Sequence, residues 1–107
     1  MSSEQQLDLV FHALSNHTRR AILGCLKGGP TRITDLAAPF DMSLPAVSKH
    51  VRVLERAGLV RREIDGRVHT CWFQPDSLQA AERWLEHYRE FWEGTLSSLA
   101  AHVEGQS

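Results

Sequence analysis

Apolar positions recur along this chain at two spacings, and the change from one to the other divides it. Leu7, Val10, Phe11 and Leu14 stand at helical spacing and predict a short first helix. Ser15-Asn16 reads as its stop and as the N-cap of a second helix running to about Leu26. In that second helix Ala21, Ile22, Cys25 and Leu26 form the expected inward stripe, with Arg19 and Arg20 outside. Gly28-Gly29-Pro30 must end it, because glycine releases the chain and proline cannot continue a helix. A third, shorter helix is expected from Thr31 to about Ala38, capped by Thr31 or Thr34 and limited by Pro39. Ser43 then opens a fourth, spanning 43–57, with Pro45 tolerated in its first turn and Gly58 as its stop. Leu44, Val47, Val51 and Leu54 are its expected buried stripe. Its other face carries Pro45, Ser48, Lys49, Arg52, Glu55 and Arg56.

From Leu59 the pattern changes. Two β-prone runs, Leu59–Ile64 and Arg67–Phe73, flank Asp65-Gly66, a strong local signal for a hairpin over 59–73. Pro75-Asp76-Ser77 opens the last and longest helix, expected over 76–103. Its stripe is Leu78, Ala81, Leu85, Tyr88, Trp92, Leu96, Leu99 and Val103, widened by Trp84 and Phe91. At 1.5 Å per residue such a helix is ~40 Å long, more than a domain of this size is wide. Its bulky stripe therefore needs cover from elsewhere, and a partner subunit is the economical source. The expected fold is mainly α with a small β-hairpin, in the order α-α-α-α-β-β-α.

The 107 residues suit one domain over 1–107, and 42% hydrophobic with 23% charged residues is ordinary globular usage. No apolar run approaches the roughly 20 residues that cross a bilayer. The start MSSEQQLDL lacks the basic and apolar stretches of a signal peptide, so a cytoplasmic protein is expected. Cys25 and Cys71 stand in no metal-like spacing, and free thiols are the default there. The formal net charge of −1 hides a strong division. Residues 1–16 carry −2, residues 17–69 carry +5, and residues 70–107 carry −4. A basic middle between acidic ends points to a polyanion partner.

Two helices joined by a short turn, the second polar-faced and positive, and a hairpin directly after them make a winged helix-turn-helix. A helix fits the major groove, and short or hydrogen-bonding side chains let it approach base edges. Ser43, Pro45, Ala46 and Ser48 are small enough for close approach. Lys49, His50 and Arg52 can reach phosphates or base acceptors, and Arg61, Arg62 and Arg67 place positive charge on or beside the hairpin. The expected partner is double-stranded operator DNA.

These same runs resemble a known family. Ala13-Leu-Ser-Asn-His-Thr-Arg-Arg-Ala-Ile-Leu23, Asp35-Leu-Ala, Ser43-Leu-Pro-Ala-Val-Ser-Lys-His-Val-Arg-Val-Leu54, Ala57-Gly-Leu-Val60 and Asp65-Gly-Arg67 are similar to the ArsR-type (ArsR/SmtB-like) bacterial repressors. The resemblance covers roughly residues 7 to 100. It implies a homodimer joined through the first and last helices, with Leu7, Val10, Phe11, Leu85, Tyr88, Trp92, Leu96 and Leu99 at the interface. It also implies a recognition helix at Ser43–Ala57, a wing at about Leu59–Phe73 and an imperfectly palindromic operator. The departures are in the metal sites. Metal-sensing members carry Cys-x-Cys just before the Asp-Leu-Ala run, where this chain has Arg32 and Thr34. Others use Asp-x-His and His-x-x-Glu/His on the last helix, where Leu85 precedes His87 and His102 stands far along. The chain looks like a branch without the usual metal motifs, and neither metal nor cofactor is implied.

Each signal has a plainer reading. The polar face of the fourth helix could be merely solvated, though helix, turn, helix and hairpin in that order favour DNA contact. His50 suits a brace or a phosphate contact better than a metal. Arg61, Arg62 and Arg67 could simply discourage strand pairing at an edge. Cys25 is expected in the core of the second helix and Cys71 in the second wing strand. The aromatic cluster Trp84, Tyr88, Phe91 and Trp92 suits core and dimer packing better than a ligand pocket. Glu82, Glu86, Glu90 and Glu93 read as the solvated side of the last helix, and no nucleophile motif or phosphate loop suggests an enzyme. Two alternatives stay open: a winged-helix protein-interaction module without specific DNA binding, and a repressor responsive to a thiol reagent or small ligand through Cys25 or the aromatic cluster.

Overall fold

The computed structural model describes residues 3–95. The helix α1 spans Ser3–Leu14 and α2 spans His17–Leu26. Asn16 joins them as an N-cap, its side chain accepting from Thr18 N and Arg19 N at 2.9 and 3.1 Å. The helix α4, Leu44–Arg56, is capped by Ser43, whose Oγ accepts from Ala46 N at 3.3 Å. At its other end Gly58 turns the chain with φ +75°. Leu59 N donates back to Leu54 O at 2.9 Å, and Gly58 N to Glu55 O at 3.0 Å. A Cβ at position 58 would also run into Ser77 Oγ, so glycine serves both the turn and the close approach. Strands β2, Val60–Asp65, and β3, Val68–Phe73, form the hairpin. Asp65 pairs with Val68, which leaves Gly66-Arg67 as a two-residue loop. Gly66 takes φ +61° at the first central position, where a type II′ turn needs glycine.

The expected third helix is shorter than its sequence pattern. Thr31–Arg32 instead form a short strand, β1, paired antiparallel with β3 through Thr31↔Cys71 and Arg32↔Thr70. Only Ile33–Ala37 are helical, as α3. The hairpin thus becomes a three-stranded sheet in the order β1-β3-β2. Two residues past Pro30, the free edge of β3 offers backbone partners that a one-turn extension of α3 would not, and these long-range bonds prevail over local propensity.

The core gathers Val10 and Ala13 of α1, Ile22, Leu23 and Leu26 of α2, Ile33 and Leu36 of α3, Val47, Val51 and Leu54 of α4, then Leu59, Val60, Cys71 and Ala81. Three expectations change accordingly. Val10, expected at a subunit interface, is fully buried within its own chain. In α2 the inward face is Thr18, Arg19, Ile22, Leu23 and Leu26, whereas Ala21 and Cys25 are exposed. Arg19 is inside because it has partners there. Leu44 is 43% exposed, since it lies in the first turn of α4, beyond the reach of the core.

The last helix is not one continuous rod. Pro75–Ser77 form a 3-10 turn that leads into α5, Leu78–Glu86. The chain tightens at His87-Tyr88, where His87 N donates to Trp84 O and Tyr88 N to Leu85 O at i−3 spacing. It is helical again over 89–95. Leu96, Leu99 and the rest of the expected helix lie outside the described residues. No helix among the described residues is long and apolar enough to cross a membrane.

Candidate nucleic-acid interface

On α4, Ser43, Pro45, Lys49 and Arg52 are exposed, and Ala46 and Ser48 are half-exposed beside them. Val47, Val51 and Leu54 fill the core from the opposite side, so burial of that stripe turns the polar row outward. Arg61 and Arg67 are exposed on the wing. Arg61 lies over the Trp72 ring, its guanidinium carbon 5.1 Å from the centroid, a cation–π contact that holds the exposed cation on the sheet. Trp72 was not anticipated. The Arg61↔Trp72 strand register that brings the two together follows from the turn at Gly66-Arg67.

His50 and Arg62 have internal partners. Arg19 Nη1 lies 3.3 Å from His50 Nδ1. A guanidinium can only donate, so Nδ1 accepts and the imidazole proton sits on Nε2. The same Arg19 donates from Nε to Ala13 O at 2.8 Å and from Nη2 to His12 O at 2.9 Å. One side chain therefore caps the carbonyl end of α1 and braces the middle of α4. Burial, and behind it the Arg19 charge, holds the His50 imidazole below its ordinary value. A histidine depressed on folding contributes stability that is complete above the unfolded value near 6.5 and is lost as pH falls through the lower folded one. The unfolding temperature should therefore decline as pH drops below about 6.5, and less so in His50→Gln. Equal slopes for the two proteins in thermal unfolding would rule out this assignment.

Arg62 is turned under the wing. Its side chain, 11% exposed, donates from Nη2 and Nε to Glu55 Oε1 at 2.7 and 3.0 Å, and Nη1 lies 3.1 Å from His69 Nδ1. Cys71 stands opposite Arg62 in the sheet, fully buried. Burial pushes its thiol up, although Arg62 pulls it partly back, and a thiol so held is a poor nucleophile. Cys25 is free and exposed. Among the described residues no three His, Cys, Asp or Glu side chains come together as a metal would need.

Away from these residues in sequence, Phe11 and Leu14 of α1 meet Leu78, Ala81, Leu85, Tyr88 and Trp92 around an open apolar groove of about 670 Å³. Phe11 packs edge-on against Trp84 at 5.5 Å between centroids. Leu85, Tyr88, Phe91 and Trp92 are all more than half exposed.

Residues 14–63 match the helix-turn-helix domain family. Over 106 residues the chain is 33% identical to the HTH-type transcriptional regulator Rv2034 of Mycobacterium tuberculosis, covering 99% of this chain and 96% of that one. It is also 33% identical over 79 residues to the transcriptional repressor SdpR of Bacillus subtilis, covering 74% of this chain and 88% of that protein. A crystal structure of an ArsR family transcriptional regulator superimposes with a TM-score of 0.79 at 44% identity, over 84% of this chain and 93% of that one. With helix, turn, recognition helix and wing all in place, the chain belongs to the ArsR family of winged helix-turn-helix proteins and is a DNA-binding transcriptional regulator.

Proposed function

We propose that the protein is a homodimeric repressor acting in the cytoplasm on a palindromic operator, with no catalytic step. Each subunit places α4 in a major groove, the two grooves about 34–36 Å apart, and lays its wing along the flanking backbone. The observation that carries this reading is the outward row Ser43, Pro45, Lys49 and Arg52 on a helix whose opposite side buries Val47, Val51 and Leu54 completely. Small residues at the start of α4 admit base edges, while Lys49, Arg52, Arg61 and Arg67 supply phosphate contacts. Repression follows from occlusion of the promoter, and kinship with a protein named as a transcriptional repressor supports that sign. The exposed groove between α1 and α5 supports a partner subunit on the side away from DNA. The acidic row Glu82, Glu86, Glu90 and Glu93 keeps that side off the duplex.

Fluorescence anisotropy with DNA from the gene's own upstream region, against a scrambled duplex and across a salt series, tests the proposal. Selective binding with a steep salt slope is expected. Lys49→Ala and Arg52→Ala should each weaken binding by about 1–3 kcal/mol and reduce the salt slope by ~1 where the contact is to phosphate. Equal affinity for the two duplexes would sink the proposal. Loss of dimerisation in either variant would show that the outward face of α4 serves something other than DNA.

A further inference from the structure

Glu55 occupies an awkward place for a regulator that binds a polyanion. It stands in the last turn of α4, where the helix dipole disfavours an acid, and on the element that approaches phosphate. Its carboxylate is half-buried against Arg62 of β2, and Arg62 in turn reaches His69 of β3. The three side chains link the end of the recognition helix to both strands of the wing. We infer that Arg62 and Glu55 are positioning residues that clamp the wing to α4, so that helix and wing meet DNA as one rigid body, and that Arg62 makes no phosphate contact of its own.

The geometry shows why a clamp matters there. Between α4 and β2 the backbone passes through Gly58-Leu59, a sharp turn from which the hairpin projects as a lever. At about 3.3 Å per strand residue the tip at Gly66 stands roughly 20 Å from that turn, so a swing of about 10° moves it by ~4 Å. A phosphate hydrogen bond tolerates only a few tenths of an ångström. Arg62 anchors the lever near its base with two nitrogens on one carboxylate oxygen of α4, and its third nitrogen on the His69 imidazole ties β3 to the same anchor.

This inference rests on the reading of α4 and the wing as the DNA surface, and its test separates the two. Wild type, Glu55→Gln, Arg62→Gln, the double variant and the charge-swapped pair Glu55→Arg with Arg62→Glu are compared by operator anisotropy across salt. Plain electrostatics expects Glu55→Gln to tighten binding, because an acid is removed. The clamp expects it to weaken binding on the order of tenfold, as much as Arg62→Gln does, with the double variant no worse than either. The salt slope should stay unchanged in all of them, and the swapped pair should recover most of the affinity. Backbone hydrogen exchange without DNA supplies the independent readout: amides over 61–70 should exchange faster in Glu55→Gln while those of α2 and α4 do not change. Tighter binding by Glu55→Gln, additive single effects, or a salt slope lowered by about one in Arg62→Gln would overturn the clamp. So would unchanged wing exchange. If wild type fails to select its operator, the DNA reading falls, and the exchange experiment still decides the clamp.

Discussion

Trp92→Glu is expected to yield a folded monomer with at least a hundredfold lower operator affinity. Trp92 is 62% exposed and lines the groove with Phe11, Leu14, Leu85 and Tyr88, so in the proposed dimer its cover comes from the second subunit. A buried carboxylate there would have no partner, and removing a large aromatic from the centre of an interface costs on the order of 2 kcal/mol or more. The affinity loss is larger because the second half-site no longer binds as an intramolecular event, an advantage of about 10²–10⁴. Sedimentation gives the oligomeric state and anisotropy the affinity. Glu90→Ala, a change on the acidic side of the same segment, should leave both unaltered. If Trp92→Glu remains a dimer, the subunits meet somewhere other than this groove.

Arg19→Ala should lower the unfolding free energy by about 3 kcal/mol, or roughly 15 °C in Tm for a domain of this size. Arg19 is 8% exposed, and truncation leaves the carbonyl of Ala13 without its side-chain donor where water has little access, while His12 O keeps only Ser15 N and Oγ. It also opens a void between α1 and α4 and frees His50 from its brace. Lysine keeps the charge but cannot reach several acceptors in one plane, so Arg19→Lys should recover only part of the loss. The adjacent Arg20, exposed and bonded to Leu14 O, is the control, and Arg20→Ala should change stability by no more than about 0.5 kcal/mol. Thermal or urea unfolding decides, and equal costs at positions 19 and 20 would remove the central role given to Arg19.

Local signals were readable wherever the cause was local. Asn16 and Ser43 cap helices because their side chains reach backbone N–H groups two or three residues on. Gly58 and Gly66 turn the chain because each needs a positive φ. The 3, 4, 3 spacing of Leu44, Val47, Val51 and Leu54 gave the orientation of α4, and with it the exposed polar row, missing only at the exposed Leu44. Motifs built from such signals led from residue order to the winged helix and its family. Long-range partnerships were another matter. Arg19 reads as a surface residue until α1 ends beside it and supplies carbonyls, and the ion pair of Arg62 forms only when β2 folds back over Glu55. Thr31-Arg32 became a strand because β3 had a free edge within reach, which a reading of the local helical pattern could not show. Val10 and Trp92 share one apolar pattern, yet the chain covers the first completely and leaves the second bare. The period of a helix shows which side is apolar; what lies against that side depends on how distant segments of the chain pack together.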